Sequence, residues 1–120
     1  MNTISIVELY EHVKNNNENI ILINVLSKSE FKDCHIPCSI HIPLDQLTLK
    51  LHNIDKSKKI IVYCSHEFSS ASETAYKILK KAGFPDVYEY KGGMREWIQS
   101  DLKTLGNCEA RYLHELDQKR

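Results

Sequence analysis

Two short runs, 20-IILINV-25 and 60-IIVY-63, are apolar almost from end to end. A strand with one wet face alternates polar and apolar residues; a run without alternation has both faces covered, as in a parallel sheet with helices on either side. Parallel neighbours need long crossover connections, usually helical, and the intervening sequence supplies them. Ser5 and Glu8 form an S-x-x-E capping box ahead of Ile6, Leu9, Tyr10 and Val13, which fall at helical spacing. Leu44, Leu47, Leu51 and Ile54 repeat the pattern, as do Ala71, Ala75, Ile78, Leu79 and Ala82, with Gly83 placed to end that helix in a left-handed conformation. The stretch 39-SIHI-42 predicts a less buried strand and 87-VYEY-90 a further one. Short helices are expected around Ser29 to Asp33 and over Met94 to Gln99, and Asn15 to Asn17 reads as a loop. Strands alternating with helices in this way predict an α/β domain with about five mainly parallel strands flanked by helices.

The chain has 120 residues, enough for one domain and one core. That domain is expected to occupy residues 1–101, followed by a helical extension over 102–120. In the extension Asn107 can cap a helix, and Ala110, Leu113 and Leu116 recur every three residues. Sixteen basic residues balance sixteen acidic ones, so charge gives no argument for a nucleic-acid or membrane partner. No apolar run approaches the roughly 18 residues of a membrane span. The opening residues MNTISIVELYEH lack the basic and long apolar regions of a signal peptide. A cytoplasmic location is therefore expected, where thiols stay reduced. Cys34, Cys38, Cys64 and Cys108 are accordingly weighed as reactive groups, ligands or small core residues before being paired as disulfides.

Cys64 is the one that invites chemistry. In 60-IIVYCSHEFSSASETAYKILKKAG-83 it sits where a buried strand stops and a helix is about to start. In parallel sheets, ligands bind at the carboxyl ends of strands. A loop folding back over the sulfur brings backbone N–H groups toward it, and a helix beginning near Ser70 aims its N-terminus at the same place. Both favour negative charge there, and a thiolate so placed is a nucleophile. Ser65, Ser69 and Ser70 add hydroxyl donors, and His66 adds a group that titrates near neutrality. The same spacing also suits an inert thiol at a strand end.

Four segments resemble the rhodanese-like sulfurtransferases, over about Ile4 to Trp97. They are 21-ILINVLSKSEF-31, 35-HIPCSIHIPLDQL-47, 60-IIVYCSHEFSSASETA-75 and 82-AGFPDVYEYKGGMREW-97, which resemble the family's D-V-R strand end, G-H-I-P-G-A segment, cysteine loop and A-G-F…G-G…W segment in order and spacing. The resemblance implies the rhodanese-like α/β fold and a catalytic Cys64 that attacks the outer sulfur of a donor and holds it as a persulfide. A nucleophilic acceptor then removes the sulfur. The backbone amides of Ser65, His66, Glu67, Phe68, Ser69 and Ser70 would bind the substrate and cradle the persulfide. The implied partners are a small donor, thiosulfate or a persulfide, and a thiol or cyanide acceptor, with a protein donor or acceptor also open. No metal and no organic cofactor is implied, since the protein itself carries the sulfur.

The sequence departs from the pattern in ways that bear on activity. Ser69 stands where the loop Arg is usual, and Glu67 where a Gly is usual. An inward carboxylate about 5 Å from a bound anion would cost about 3 kcal/mol at an effective dielectric near 20, against about 0.3–1 kcal/mol from one helix terminus; an outward one would matter little. Thiosulfate, a dianion, is therefore expected to be a poorer donor than a persulfide. The D-V-R strand end reads Asn24-Val25-Leu26, and Cys34 and Cys38 replace the glycines flanking H-I-P. A phosphatase is disfavoured because residues 65–75 contain no Arg or Lys to grip phosphate. A zinc site built from Cys34, His35, Cys38 and His41, and a redox pair of Cys64 with Cys34 or Cys38, are weaker alternatives. The main rival is a rhodanese-fold interaction module with little or no activity.

Overall fold

A computed structural model of the chain describes residues 1–116. Helix α1 (Ile6–Lys14) starts at the Ser5 cap, whose hydroxyl accepts the Glu8 N–H while the Glu8 carboxylate accepts the Ser5 N–H, completing the capping box. It leads into β1 (Ile20–Asn24). Helix α2 (Lys28–Asp33) carries a second capping box, Ser27 with Glu30. Strand β2 (Ile40–His41) is followed by α3 (Leu44–Lys50), β3 (Lys59–Tyr63), α4 (Ala71–Lys81), β4 (Val87–Tyr90) and α5 (Gly93–Gln99).

The sheet is entirely parallel, in the order β2-β1-β3-β4. The two apolar runs noted in the sequence are its central strands, in register from Ile20 opposite Lys59 to Asn24 opposite Tyr63. Four strands form where about five were expected. Beyond β4 the sheet gains only a single rung, Thr3 beside Glu89.

Each face of the sheet carries a core. On one, Ile23, Val25, Ile60, Val62 and Val87 pack against Leu47, Ala75 and Leu79 from α3 and α4. On the other, Leu22, Ile61, Tyr63 and Tyr90 pack against Leu9, Met94 and Trp97 from α1 and α5, and against Leu113 from the C-terminal segment. No helix among the described residues is long and apolar enough to cross a membrane.

The C-terminal segment differs from the helical extension expected over 102–120. Its one helical element among the described residues is a 3-10 turn, Arg111–His114; residues 117–120 lie outside the described residues. A three-residue recurrence fits a 3-10 turn, with its 3.0 residues per turn, better than an α-helix. Leu113 is fully buried and Ala110 packs beside it, while Leu116 is 82% exposed. Asn107, expected to cap a helix, caps none among the described residues; the N-cap position of the turn is Ala110.

The segment is tied down by Cys34–Cys108, a disulfide across a separation of 74 residues. This corrects the expectation of four reduced thiols. Disulfides persist in oxidising surroundings and are rare in reducing ones. Hydrogen bonds reinforce it. His35 and Leu105 exchange both backbone bonds at 3.0 Å, and the Asp33 carbonyl accepts the Cys108 N–H at 2.7 Å. The Asp33 carboxylate accepts the N–H groups of Glu109 and Ala110 at 2.9 and 3.0 Å.

Candidate active site

Cys64 follows the last residue of β3, at the carboxyl edge of the sheet. Its backbone is fixed by α5: the Met94 N–H donates to the Cys64 carbonyl and the Arg95 N–H to the Ser65 carbonyl, both at 2.9 Å. That approach depends on Gly93, whose φ of +67° lies in the left-handed region.

The thiol is 1% exposed. It donates to Ser72 Oγ at 3.2 Å, and the Ser72 hydroxyl donates to Glu89 Oε2 at 2.7 Å. Ser72 lies in the first turn of α4 and Glu89 on β4; both are buried, at 1% and 2% exposure.

The loop between Cys64 and α4 brings together the residues singled out in the sequence, on terms that differ among them. Ser65, His66 and Ser69 are partly buried. Glu67 and Ser70 are exposed, as is Phe68, at 62%. Two loop amides are occupied within the loop itself, Phe68 N–H on His66 Nδ1 at 3.2 Å and Ser69 N–H on the His66 carbonyl at 3.0 Å, and the first amide of α4, Ala71 N–H, turns back to Ser69 Oγ at 3.5 Å. The cradle of amides expected around the sulfur is thus partly committed elsewhere. The hydroxyl that reaches the sulfur is Ser72, outside the expected set. Glu67, standing where a glycine is usual, has no positive φ, and its side chain is exposed, so the electrostatic penalty of an inward carboxylate does not arise.

Beneath the site, the Tyr63 hydroxyl joins three segments. It accepts from Asn24 Nδ2 at 2.9 Å and from the Ile36 N–H at 3.0 Å, and pairs with Ser39 Oγ at 3.0 Å. Asn24 Oδ1 in turn accepts the Leu26 N–H at 2.9 Å. The loss of the acid at the D-V-R strand end is therefore compensated by a carboxamide that both donates and accepts. Burial pushes the Tyr63 phenol up, opposed by the hydrogen bonds from Ser39, Ile36 and Asn24.

Above the site lies Tyr112, from the C-terminal turn. Its ring centroid is 6.5 Å from that of His66, and Arg95 Nε donates to its carbonyl at 2.8 Å. Its hydroxyl is buried with no hydrogen-bond partner among the described residues. Burial drives this phenol strongly upward, with Glu30, Tyr63, Asp33 and Cys64 adding to the shift.

The alternative ligand and redox sets are differently employed. Cys34 is bonded to Cys108 and not to Cys64. His35 and His41 stack on either side of Phe31, at 3.9 and 4.6 Å between centroids, and contact the carbonyls of Phe31 and Leu26. Cys38 is exposed, with a φ of +72° that suits the glycine it replaces.

Sequence reasoning missed Ser72, Glu89 and Tyr112. Glu89 alone left a signal: a carboxylate two residues from Val87 falls on the same face of a strand that reads as buried. Tyr112 lay in a segment with no motif.

Comparison with known proteins identifies the family and the fold. The family model "Rhodanese-like domain" matches residues 5–100. The thiosulfate sulfurtransferase GlpE of Coxiella burnetii is 32% identical over 94 residues, covering 78% of this chain and 84% of that protein. YrkF of Bacillus subtilis is 28% identical over 91 residues, covering 76% of this chain but only 48% of YrkF, so the chain spans about half of that relative. The crystal structure of BH2092 from Bacillus halodurans superposes with a TM-score of 0.83 at 28% identity, covering 89% of this chain and 78% of that one. At the family level the chemistry is that of sulfurtransferases. The chain belongs to the rhodanese-like domain family.

Proposed function

We propose that this protein is a sulfurtransferase that carries sulfane sulfur as a persulfide on Cys64 and passes it to a thiol or another nucleophilic acceptor. The observation that carries the reading is the placement of Cys64, at the carboxyl end of a central parallel strand with its thiol hydrogen-bonded inside the site. The Cys64 sulfur attacks the outer sulfur of the donor, the bond between that sulfur and the rest of the donor breaks, the remainder leaves with the electron pair, and an acceptor thiolate then takes the outer sulfur and displaces Cys64 from the persulfide. Ser65, His66, Glu67, Phe68, Ser69 and Ser70 form the rim through which donor and acceptor pass. Because Cys64 is 1% exposed, that rim has to shift for a donor to reach the sulfur.

GlpE is named for thiosulfate, but the absence of Arg and Lys from residues 65–75 supports a less highly charged donor here, a small or protein-borne persulfide. Use in the cytoplasm belongs to the same reading and requires Cys34–Cys108 to withstand that compartment's reductants. Intact mass after incubation with thiosulfate or a persulfide donor tests the assignment. A gain of one sulfur in the wild type and none in Cys64→Ala, reversed by cyanide or thiol, is expected. No gain with either donor, on folded protein, sinks it.

A second reading, an interaction module on the same fold, is favoured by Phe68, a large apolar side chain held 62% exposed at the rim. Cys64 unreactive at neutral pH would support it.

A further inference from the structure

Glu89 stands behind Cys64 on β4, with Val87 on the same face of the strand packed into an apolar core. A carboxylate is costly in such a place unless it is hydrogen-bonded or put to use. It receives one side-chain hydrogen bond, from Ser72, and its Oε1 is buried without a hydrogen-bond partner among the described residues. The hydrogen bonds share one direction. The Cys64 thiol donates to Ser72 at 3.2 Å, and Ser72 donates to Glu89 at 2.7 Å, so each proton already points toward the carboxylate.

We propose that Cys64, Ser72 and Glu89 form a proton relay, in which the buried Glu89 carboxylate takes the thiol proton through the Ser72 hydroxyl as the sulfur attacks. The proposal rests on the sulfur-carrier reading of Cys64. As the bond from Sγ to the donor's outer sulfur forms, the S–H proton moves to Ser72 Oγ and the hydroxyl proton of Ser72 moves to Oε2. The donor's bond to that sulfur breaks, and sulfite or a thiolate leaves with the electron pair. Cys64 then carries an anionic persulfide beside a neutral carboxylic acid. When an acceptor thiol takes the outer sulfur, the acceptor departs as its own persulfide. The Cys64 thiolate left behind recovers its proton from Glu89 by the reverse path, and the cycle closes.

The relay addresses what the loop lacks. With no Arg or Lys in residues 65–75, a persulfide anion facing an ionised Glu89 would place two negative charges together. Moving the proton keeps the protein's share of the site at one negative charge throughout. The elements packed around the path carry other titratable groups: His66 and the exposed Glu67 on the loop; Tyr76 on α4, in the same core cluster as Cys64, whose hydroxyl accepts the Asn2 N–H; Arg95 on α5; and Tyr112 on the C-terminal turn. Ser72 is the group that touches both sulfur and carboxylate; Glu89 acts through it.

The test is the rate of Cys64 alkylation by iodoacetamide from pH 5 to 10, in a Cys38→Ser background that removes the exposed free thiol. Folding is checked by circular dichroism, and sulfur loading is scored separately by mass. Glu89→Gln and Ser72→Ala should each slow alkylation at pH 7 by about tenfold or more and move the rise of the profile to higher pH. The double variant should be no slower than either single one, because one path is broken once. Glu89→Asp should restore part of the rate. A folded Glu89→Gln protein that alkylates as fast as its parent, or faster, overturns the relay, since that is the outcome if the carboxylate merely repels a thiolate. Should Glu89→Gln fail to fold, Ser72→Ala carries the same decision. Failure of the parent to load sulfur would count against the carrier reading, while the alkylation profile still decides the relay.

Discussion

Gly93 lies so close to the cysteine that a Cβ built on it would stand 2.7 Å from the Cys64 carbonyl oxygen and 2.8 Å from the Ser65 carbonyl carbon. Through this approach the first amides of α5 hold the end of β3. Gly93→Ala therefore has to relax both a left-handed backbone, worth about 1–2 kcal/mol, and that contact. Urea denaturation should show a loss of at least that size, together with altered alkylation of Cys64. A variant as stable as wild type would mean that α5 moves away freely.

Removing the Tyr63 hydroxyl leaves the Ile36 N–H and the Asn24 carboxamide short of a partner in the interior. A buried polar group so orphaned costs about 1–3 kcal/mol. Tyr63→Phe should lower stability by an amount in that range, read from the urea midpoint at unchanged slope. Asn24→Ala made on top of Tyr63→Phe should then cost less than it does alone.

The Cys34–Cys108 bond closes a loop with a sequence separation of 74 residues. Loop entropy puts its contribution at about 4 kcal/mol, with measured cases falling between about 0 and 5. Dithiothreitol should lower the melting temperature of the wild type and leave that of Cys108→Ser unchanged. Equal melting with and without reductant would show that the Asp33 and His35 hydrogen bonds hold the segment alone.

Three phenols, Tyr63, Tyr90 and Tyr112, are pushed up by burial, Tyr90 also by Glu96. Below about pH 10 they are neutral in both folded and unfolded chains. Above it the unfolded chain releases protons that the folded chain keeps, so stability falls as pH rises. The melting temperature should drop from about pH 10 upward, and Tyr112→Phe should flatten that slope. A melting temperature level to pH 11.5 would contradict the burial of these groups.

Glu67 is exposed at the rim, so Glu67→Gly should change sulfur loading less than about threefold with either donor. The persulfide donor should outpace thiosulfate in both proteins. A large gain in thiosulfate turnover on losing Glu67 would mean that the side chain turns inward when substrate binds.

The central architecture is written in the order of the residues. The apolar runs at residues 20–25, broken only by Asn24, and 60–63 have no stable place except between two helical layers, and the helical repeats at α1, α3 and α4 state those layers locally. Period, capping boxes and the left-handed Gly83 are local properties, legible without knowing what they pack against. Cys64 at a strand end was legible for the same reason, since strand and helix boundaries fix where the loop falls.

What surrounds that sulfur is settled by long-range packing. Ser72 and Glu89 meet Cys64 because α4 crosses behind β3 while β4 lies beside it, and neither spacing nor residue type announces such a meeting. The C-terminal segment is the clearest case. Its three-residue recurrence predicts a helix, yet one disulfide, the capping of Glu109 and Ala110 by Asp33, and the burial of Leu113 hold it as a strap beside the cysteine loop. Contacts across 74 residues prevail there because a short segment's own helical preference is worth less than the long-range bonds that displace it.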